Sequence, residues 1–418
     1  MSIRHADMRP ALACLLVSMV GNSGCYAAAS WVGTWGAAPL PATPAFGPFP
    51  ATPTFENVTL RQVVRVSAGG KRVRVRFTNE YGTKPLVIGR ASIAVANSKG
   101  EVKPGTQHDL TFDSKPGVAI PAGAPLMSDS VDLEVAPLST LSISLYLPEG
   151  TGPCTCHQTA IQTGYVSEPG DFTRSGAFAA REEMQIRAFI SGVEVESSAK
   201  AVVVLGDSIS DGMGSTPDQN HRWPDYFAER LHARSGSSQW SVVNMGISGN
   251  RILAGGLGDS ALARFDRDVL SVPGAAYVIV FEGVNDLGFG LGHFEGPMAE
   301  GFKALAPPSK VTAETMIAGY RQLIERAHAK GLKVIGATIT PYEGSAYWST
   351  EGERTRQAIN TWIRASRAFD AVIDFDAVIR DPARPTQIKD GFHMGDHLHG
   401  SDAAYEAMAN SIDLALIR

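Results

Sequence analysis

The sequence of 418 residues has no excess of basic charge and no strong acidic bias. Lys plus Arg number 37 against 42 for Asp plus Glu, a formal net charge of −5. Without surplus positive charge to neutralise phosphates, the chain is predicted not to bind nucleic acid. Hydrophobic residues make up 44% and charged residues 19%, which excludes wholesale disorder. At about 150 residues per domain, this length predicts two or three domains.

No segment is long and apolar enough to span a bilayer as a helix, so no membrane span is predicted. The apolar run at residues 11–20 follows Arg4 and Arg9 and precedes three alanines that end at Ala29. This order of a basic, an apolar and a small-residue region is typical of a secretory signal peptide. We therefore predict a signal peptide at 1–29 and a secreted or periplasmic protein. A buried N-terminal helix is the alternative.

Cysteine is scarce, with four residues in the chain. Cys14 and Cys25 lie within the predicted signal peptide, and Cys25 as a lipidation site is a further alternative. Cys154 and Cys156 remain after cleavage, and export to an oxidising compartment permits a disulfide between them. With His157 adjacent they could also form part of a soft-metal site. Because no fourth ligand stands at suitable spacing, no metal is predicted; a loop with free thiols stays open.

The N-terminal half alternates polar and apolar residues with a period of two. Residues 30–57, rich in proline and aromatics, are predicted to be extended chain lying over this half. Short alternating runs separated by turn residues favour an antiparallel β-sandwich, which we place at 30–197. The predicted strands are 58–66, 72–77, 87–95, 109–112, 130–135 and 141–147.

The pattern changes near residue 198, where short apolar runs begin to alternate with helical periodicity. The clearest helix has Thr312 as its N-cap and Gly331 as its stop. Strands that alternate with helices predict a parallel sheet in a three-layer, doubly wound domain, which we place at 198–418. In such a domain the chemistry lies on loops at the carboxyl ends of the strands. The predicted strands are 200–205, 240–244, 276–281, 333–339 and 371–375.

Four short motifs follow separate strands or lie in the last loop. GDSISDG places Ser208 on a tight strand-to-helix turn, where a hydroxyl can act as a nucleophile. GISGN contains Gly249, whose backbone N–H can closely approach a ligand, and GVND contains Asn285, whose amide can donate into the same crevice. DHLH spaces Asp396 and His399 so that the carboxylate can fix the tautomer that a base needs.

These motifs resemble the SGNH branch of the GDSL hydrolases, and the resemblance covers residues 200 to 418. It implies a flavodoxin-like three-layer domain and a serine esterase that needs no metal or organic cofactor. It also implies that Ser208 is the nucleophile, His399 the base and Asp396 the residue that orients the base. The implied oxyanion hole comprises the N–H groups of Ser208 and Gly249 and the side-chain amide of Asn285.

Asp390 and His393 also fit the D-x-x-H pattern. Asp396 and His399 are preferred because the histidine of the family stands just before a last helix, here predicted at 403–412. The glycine after His399 replaces the proline often found there in the family.

The N-terminal half, with WVGTWGAAP, LRQVVRVSAGG and VRFTNEYGTKPL, is similar to the β-domain of bacterial two-domain SGNH esterases. Some of those esterases are associated with the breakdown of plant polysaccharides. The predicted substrate is therefore a small-molecule or polysaccharide-linked ester, with a small acyl or aryl group. A carbohydrate-binding protein with an idle hydrolase domain and a lipase or phospholipase are the alternatives.

Side chains that could line the substrate crevice follow the same strands. A glycine-rich insertion at 287–308 and the aromatics after the next strand should overhang the crevice, where rings could stack on a sugar or an aryl group. Packing of the loops is the equal alternative. The candidate substrate-binding residues are Trp223, Arg251, Tyr342 and Trp348.

Overall fold

A computed structural model describes residues 30–45, 50–97, 99–234, 240–293 and 297–418. The predicted signal peptide at 1–29 lies outside these ranges, so its assignment stays a prediction. Among the helices within these ranges, none is long and apolar enough to cross a bilayer.

The antiparallel half contains a four-stranded sheet of order β1-β14-β3-β8 and a six-stranded sheet of order β12-β11-β2-β9-β5-β6. Two short ribbons, β4-β7 and β10-β13, accompany them. Its strands are β1 (Trp31–Gly36), β2 (Val58–Arg65), β3 (Val73–Asn79), β4 (Leu86–Ile88), β5 (Arg90–Val95), β6 (His108–Leu110), β7 (Val118–Ile120), β8 (Ala124–Met127), β9 (Thr140–Leu147), β10 (Cys156–His157), β11 (Gly164–Pro169), β12 (Ala180–Met184), β13 (Arg187–Ala188) and β14 (Ile190–Glu196).

Alternating burial along β3 explains why the alternating sequence pattern predicted β-strands in this half. Val73, Val75 and Phe77 are fully buried, while the arginines between them pair with carboxylates: Arg74 with Glu194, for example, and Arg76 with Glu80. One face of β3 therefore contributes to the core. The antiparallel sandwich predicted from the sequence is confirmed at the level of fold class.

Several individual strands differ from the prediction. The start of the predicted extended chain forms β1, because its backbone pairs with β14. The predicted strand at 87–95 is two strands, which belong to different sheets and meet at Gly89. The stretch 130–135 forms only isolated bridges, and the prediction did not include β7, β8 or β10 to β14.

The parallel half has a five-stranded sheet of order β16-β15-β17-β18-β19, flanked by helices. All neighbouring strands run parallel, and this order corresponds to the flavodoxin-like arrangement 2-1-3-4-5. Its strands are β15 (Lys200–Gly206), β16 (Trp240–Asn244), β17 (Ala275–Phe281), β18 (Lys333–Ala337) and β19 (Ala371–Ile373). Its helices are α1 (Ser208–Asp211), α2 (Trp223–Ala233), α3 (Ala261–Phe265), α4 (Val284–Leu291), α5 (Pro297–Leu305), α6 (Ala313–Ala329), α7 (Thr350–Ala365), α8 (Phe375–Ile379) and α9 (Asp402–Ser411), with a π-helical turn at Asp266–Leu270 and a 3₁₀ turn at Leu414–Leu416.

Helix ends follow the capping residues that the sequence offers. The Thr312 hydroxyl accepts a hydrogen bond from the Thr315 N–H at the start of α6, and Gly331 just beyond its end has φ +75°. Ser401 caps α9 by accepting from the Ala404 N–H, directly after the DHLH motif. The last helix therefore begins where the motif ends.

The two halves meet along β1, whose backbone lies against the edge strand β16. The Gly33 N–H donates to the Pro273 carbonyl at 2.9 Å, and the Ser241 hydroxyl donates to the Gly33 carbonyl at 2.6 Å. A Cβ at Gly36 would lie 2.7 Å from Cγ1 of Val243, a short and stiff side chain, so this close approach favours glycine. The boundary between 197 and 198 falls between β14 and β15 and stays a prediction as a domain limit.

Candidate active site

Ser208 begins α1 directly after β15, on a turn that leaves little space. A Cβ at Gly206 would lie 2.2 Å from the Ser210 hydroxyl oxygen, so the turn requires glycine there. The Asp207 carboxylate caps the helix by accepting from the Ile209 N–H at 2.9 Å, and burial raises the pKa of Asp207 to about 7. Ser208 itself is only 4% exposed. The turn therefore holds the hydroxyl in one place.

Ser208, His399 and Asp396 form a continuous hydrogen-bonded chain. The Ser208 Oγ lies 2.8 Å from His399 Nε2, and His399 Nδ1 lies 2.6 Å from Asp396 Oδ2. The other Asp396 oxygen accepts from the backbone N–H groups of Leu398 and His399, each at 3.0 Å. Burial would raise the pKa of Asp396, but the hydrogen bonds from His399 and its positive charge lower this pKa to about 2. The carboxylate is therefore ionised throughout the neutral range.

The alternative pair of Asp390 and His393 is not joined. Asp390 accepts instead from Arg384 at 3.2 Å. His393 Nδ1 accepts backbone N–H groups from Gly395 and His397, and its ring stacks on that of His397 with centroids 4.2 Å apart. Of the two D-x-x-H pairs, only Asp396 and His399 reach Ser208.

Gly249 lies in the loop after β16 with φ +79°, and a Cβ there would lie 2.2 Å from the Leu257 side chain. Glycine is therefore required by both conformation and space. Within the described chain, the backbone N–H groups of Gly249 and Ser208 donate to no protein acceptor. Both donors are thus available to a ligand.

Asn285 lies in the first turn of α4, and its side-chain amide is held at both ends. Its Nδ2 donates to the Asn250 carbonyl at 3.0 Å, and its Oδ1 accepts from the Tyr347 hydroxyl at 3.1 Å. The Asn250 carbonyl fixes which end of the amide is the donor, because a carbonyl oxygen can only accept. The second Nδ2 proton of Asn285 is left for another acceptor. This role of Tyr347 was not predicted from the sequence.

Arg264 in α3 is buried and contacts the ends of several strands that precede the motif loops. Its role was not predicted from the sequence. Its guanidinium donates to the carbonyl oxygens of Gly206 and Met245, which end β15 and precede the Gly249 loop. It also donates to Glu282, which follows β17. At 1% exposure, this side chain acts inside the protein by fixing three strand ends relative to one another.

The predicted substrate-binding residues are mostly buried. Trp223 is 0% exposed and packs against Phe281 and Phe375 with its Nε1 near the Ser210 hydroxyl. Tyr342 is also 0% exposed, which leaves neither ring any surface that a substrate could contact.

Arg251 is 1% exposed and donates to the carbonyl oxygens of Gly255 and Pro307. It thereby ties the loop after β16 to the end of the insertion at 287–308. That insertion is largely helical, as α4 and α5, rather than an open glycine-rich loop. Trp348 alone among the four candidates is partly exposed.

The parallel half of the molecule matches a known protein family. Residues 204–407 match the model of the GDSL-like Lipase/Acylhydrolase family. Similar solved structures include a variant of an acetyl xylan esterase from Geobacillus stearothermophilus, with 20% identity, a TM-score of 0.39, and 53% of this chain and 95% of that chain covered. A GDSL-like lipase from Bacteroides thetaiotaomicron has 19% identity and a TM-score of 0.38, with 52% of this chain and 87% of that chain covered.

No curated protein is significantly similar to the chain in sequence. The family match spans all four motifs, from the strand before Ser208 to α9 after His399. Residues 204–407 therefore form a domain that is similar to the GDSL-like lipase/acylhydrolase family.

Proposed function

We propose that the protein is an exported serine esterase that hydrolyses carboxylic esters through Ser208, His399 and Asp396. The observation that carries the proposal is the chain of hydrogen bonds at 2.8 Å and 2.6 Å that joins these three side chains. A nucleophile bonded to a base, which is in turn oriented by a carboxylate, is the arrangement that activates a serine hydroxyl. Similarity to an acylhydrolase family supports ester hydrolysis as the reaction.

Acylation begins when Ser208 Oγ attacks the ester carbonyl carbon and its proton passes to His399 Nε2. Negative charge develops on the carbonyl oxygen, where the N–H groups of Ser208 and Gly249 and the Asn285 amide can stabilise it. Collapse of this intermediate breaks the bond to the alcohol oxygen, which takes the proton from His399. Asp396 remains ionised and stabilises the imidazolium that forms in between.

Deacylation repeats these steps with water as the nucleophile. His399 takes a proton from water, whose oxygen attacks the acyl-serine carbonyl. Collapse of the second tetrahedral intermediate breaks the bond to Ser208 Oγ, which recovers a proton from His399. The products are the carboxylic acid and free enzyme, so every proton is returned and no cofactor enters the balance.

We further propose small acyl or aryl groups, including acyl groups on carbohydrates, as the substrate class. The partly exposed Trp348 is the remaining candidate for stacking against a sugar or aryl ring. The burial of Trp223 and Tyr342 removes two of the rings expected there.

A substrate panel tests the proposed function with the purified mature chain and Ser208→Ala as the control. It comprises nitrophenyl esters of increasing acyl length, acetylated xylan, a feruloyl ester and a phospholipid. We expect turnover of short-chain esters by the wild type and none by the variant. Preference for long acyl chains or phospholipid would support the lipase alternative. No turnover of any ester would overturn the proposal and favour a carbohydrate-binding role.

Export is tested separately by expressing the full chain with its N-terminus intact. We expect the protein outside the cytoplasm, with Ser30 as its first residue. A cytoplasmic protein that retains residues 1–29 would contradict the proposal.

A further inference from the structure

Asp211, at the end of the helix that Ser208 begins, holds the residue just before Gly249. Its Oδ2 accepts from the backbone N–H of Ser248 at 3.1 Å and from the Ser248 hydroxyl at 2.9 Å. One carboxylate oxygen thus fixes Ser248 in both its main chain and its side chain. Because Gly249 is the next residue, the direction of its N–H depends on this contact.

The other oxygen of Asp211 is held from the antiparallel half of the molecule. His157, in the short strand β10, places its Nε2 at 2.8 Å from Asp211 Oδ1. Its Nδ1 lies 3.0 Å from the Ala38 carbonyl oxygen. Both ring nitrogens of His157 thus face oxygen atoms that can accept, an arrangement that favours the doubly protonated ring, the imidazolium.

The contact between His157 and Asp211 is buried, so the position of the Asp211 carboxylate depends on His157. The side chains of His157 and Asp211 are each 6% exposed. Burial opposes the charge on the ring, but the adjacent Asp211 carboxylate outweighs it and raises the pKa of His157 above its ordinary value. Loss of the donor at Nε2 would leave Asp211 Oδ1 buried without its partner, which favours rotation of the Asp211 side chain. Such a rotation would weaken its hold on Ser248.

We propose that His157 is a positioning residue for the oxyanion hole and acts on the Gly249 N–H through Asp211 and Ser248. The inference rests on the proposed function and assigns the antiparallel half a part in it. The hydrogen-bonded path from β10 to the Gly249 loop is continuous, at 2.8 Å and then 2.9 Å and 3.1 Å. The antiparallel half thus completes the catalytic site rather than only binding substrate.

Some contacts between the halves lie away from Ser248 and Gly249, and one of these provides a control. Arg65 of β2 donates to Glu229 of α2 at 2.8 Å, across the same junction. The Arg65 side chain is 19% exposed and that of Glu229 43%, so Glu229→Gln removes a cross-junction ion pair while its amide oxygen can still accept from Arg65. A role of the junction in stability alone predicts similar effects for the His157 and Glu229 variants.

Two amide substitutions of His157 separate the proposed path from general packing. Glutamine places its side-chain nitrogen where Nε2 of histidine lies and can still donate to Asp211. Asparagine places its nitrogen near the Nδ1 position and can still donate to the Ala38 carbonyl. The two variants are matched in polarity and charge, and they differ in which of the two hydrogen bonds they keep.

The experiment measures kcat, KM and melting temperature for the full mature chain with a short-chain nitrophenyl ester. We expect His157→Asn to lower kcat roughly tenfold more than His157→Gln, with KM within about twofold of the wild type, because small displacements of catalytic groups act on the barrier. In an Asp211→Ala background, the difference between the two His157 variants should disappear, since the path is already broken. Glu229→Gln should leave kcat near the wild-type value.

Equal kcat values for the two folded His157 variants would overturn the inference, and so would a difference that persists in Asp211→Ala. A comparable loss of kcat in Glu229→Gln would assign the effect to the junction as a whole and also overturn it. A wild type inert towards every ester would instead refute the proposed function. An active wild type with unaffected His157 variants would refute the positioning role alone.

Discussion

The parallel half and the antiparallel half bring side chains to the candidate site by different routes. In the parallel half, Ser208, Gly249 and Asn285 each follow a strand, and the strand ends lie at one edge of the sheet. In the antiparallel half, His157 reaches Asp211 from a two-residue strand that pairs with β13 and bridges to Leu40. The first route is a consequence of topology, and the second depends on one local contact.

This difference explains why short sequence motifs predicted the site residues of the parallel half but not those of the antiparallel half. Carboxyl ends of parallel strands converge by construction, so a polar motif after any strand is a candidate for the same crevice. In an antiparallel sheet the carboxyl ends alternate between the two edges, so motifs that follow different strands need not meet. A single histidine in a loop-rich stretch therefore carries no signal until the two halves are seen together.

The contribution of the parallel half to catalysis is tested most directly at Ser208. We expect Ser208→Ala to lower kcat by roughly 10⁴- to 10⁶-fold, because the oxyanion donors and substrate binding alone retain only weak catalysis. The hydroxyl is small and helix α1 keeps its Asp207 cap, so the melting temperature should stay within a few degrees of the wild type. Steady-state kinetics and a thermal melt on the same preparation test this. A folded variant that keeps most of its activity would exclude the serine mechanism.

The two D-x-x-H pairs offer a comparison within one loop. We expect His399→Ala to lower kcat by roughly 10⁴-fold or more, because Ser208 loses its base. His393→Ala should change kcat only a few-fold, since its ring nitrogen accepts backbone N–H groups and does not reach Ser208. Initial rates of the two purified variants decide the matter. The reverse order of activities would show that the catalytic histidine was wrongly assigned.

Asn285→Ala tests the side-chain donor of the oxyanion hole. We expect kcat to fall by roughly 10²- to 10³-fold, about 3–4 kcal/mol, with little change in KM, because the donor acts where charge develops. The backbone donors at Ser208 and Gly249 remain, so activity should be weak but measurable.

Tyr347→Phe is the matched control for that variant. It removes only the hydroxyl that donates to Asn285 Oδ1, so its loss in kcat should be much smaller. If Asn285→Ala keeps a near-normal kcat, or fails only by unfolding, Asn285 does not belong to the oxyanion hole.

The sequence predicted much of the parallel half because several local signals agreed there. Apolar strands, the Thr312 cap and the Gly331 stop all pointed to one architecture, which the structure confirms. The motif residues that meet at Ser208 were also identified by position. Buried charges were not, since Arg264 and Asp211 resemble ordinary helix residues until their partners are known. Trp223 was misjudged because an aromatic ring near a motif fits a core as well as a crevice.

The smallest expected effect belongs to the antiparallel half, at the disulfide that joins Cys154 and Cys156 beside His157. Replacing both cysteines by serine should lower the free energy of unfolding by about 1–2 kcal/mol, since the loop it closes is very short. His157 keeps its bonds to Ala38 and Asp211, so kcat should fall less than in His157→Asn. Urea unfolding and kinetics measure the two effects, and wild type refolded in dithiothreitol should behave like the double variant. Unchanged stability with a large loss of kcat would mean that the disulfide serves the position of His157 rather than the fold, and would tie the antiparallel half more closely to catalysis than proposed.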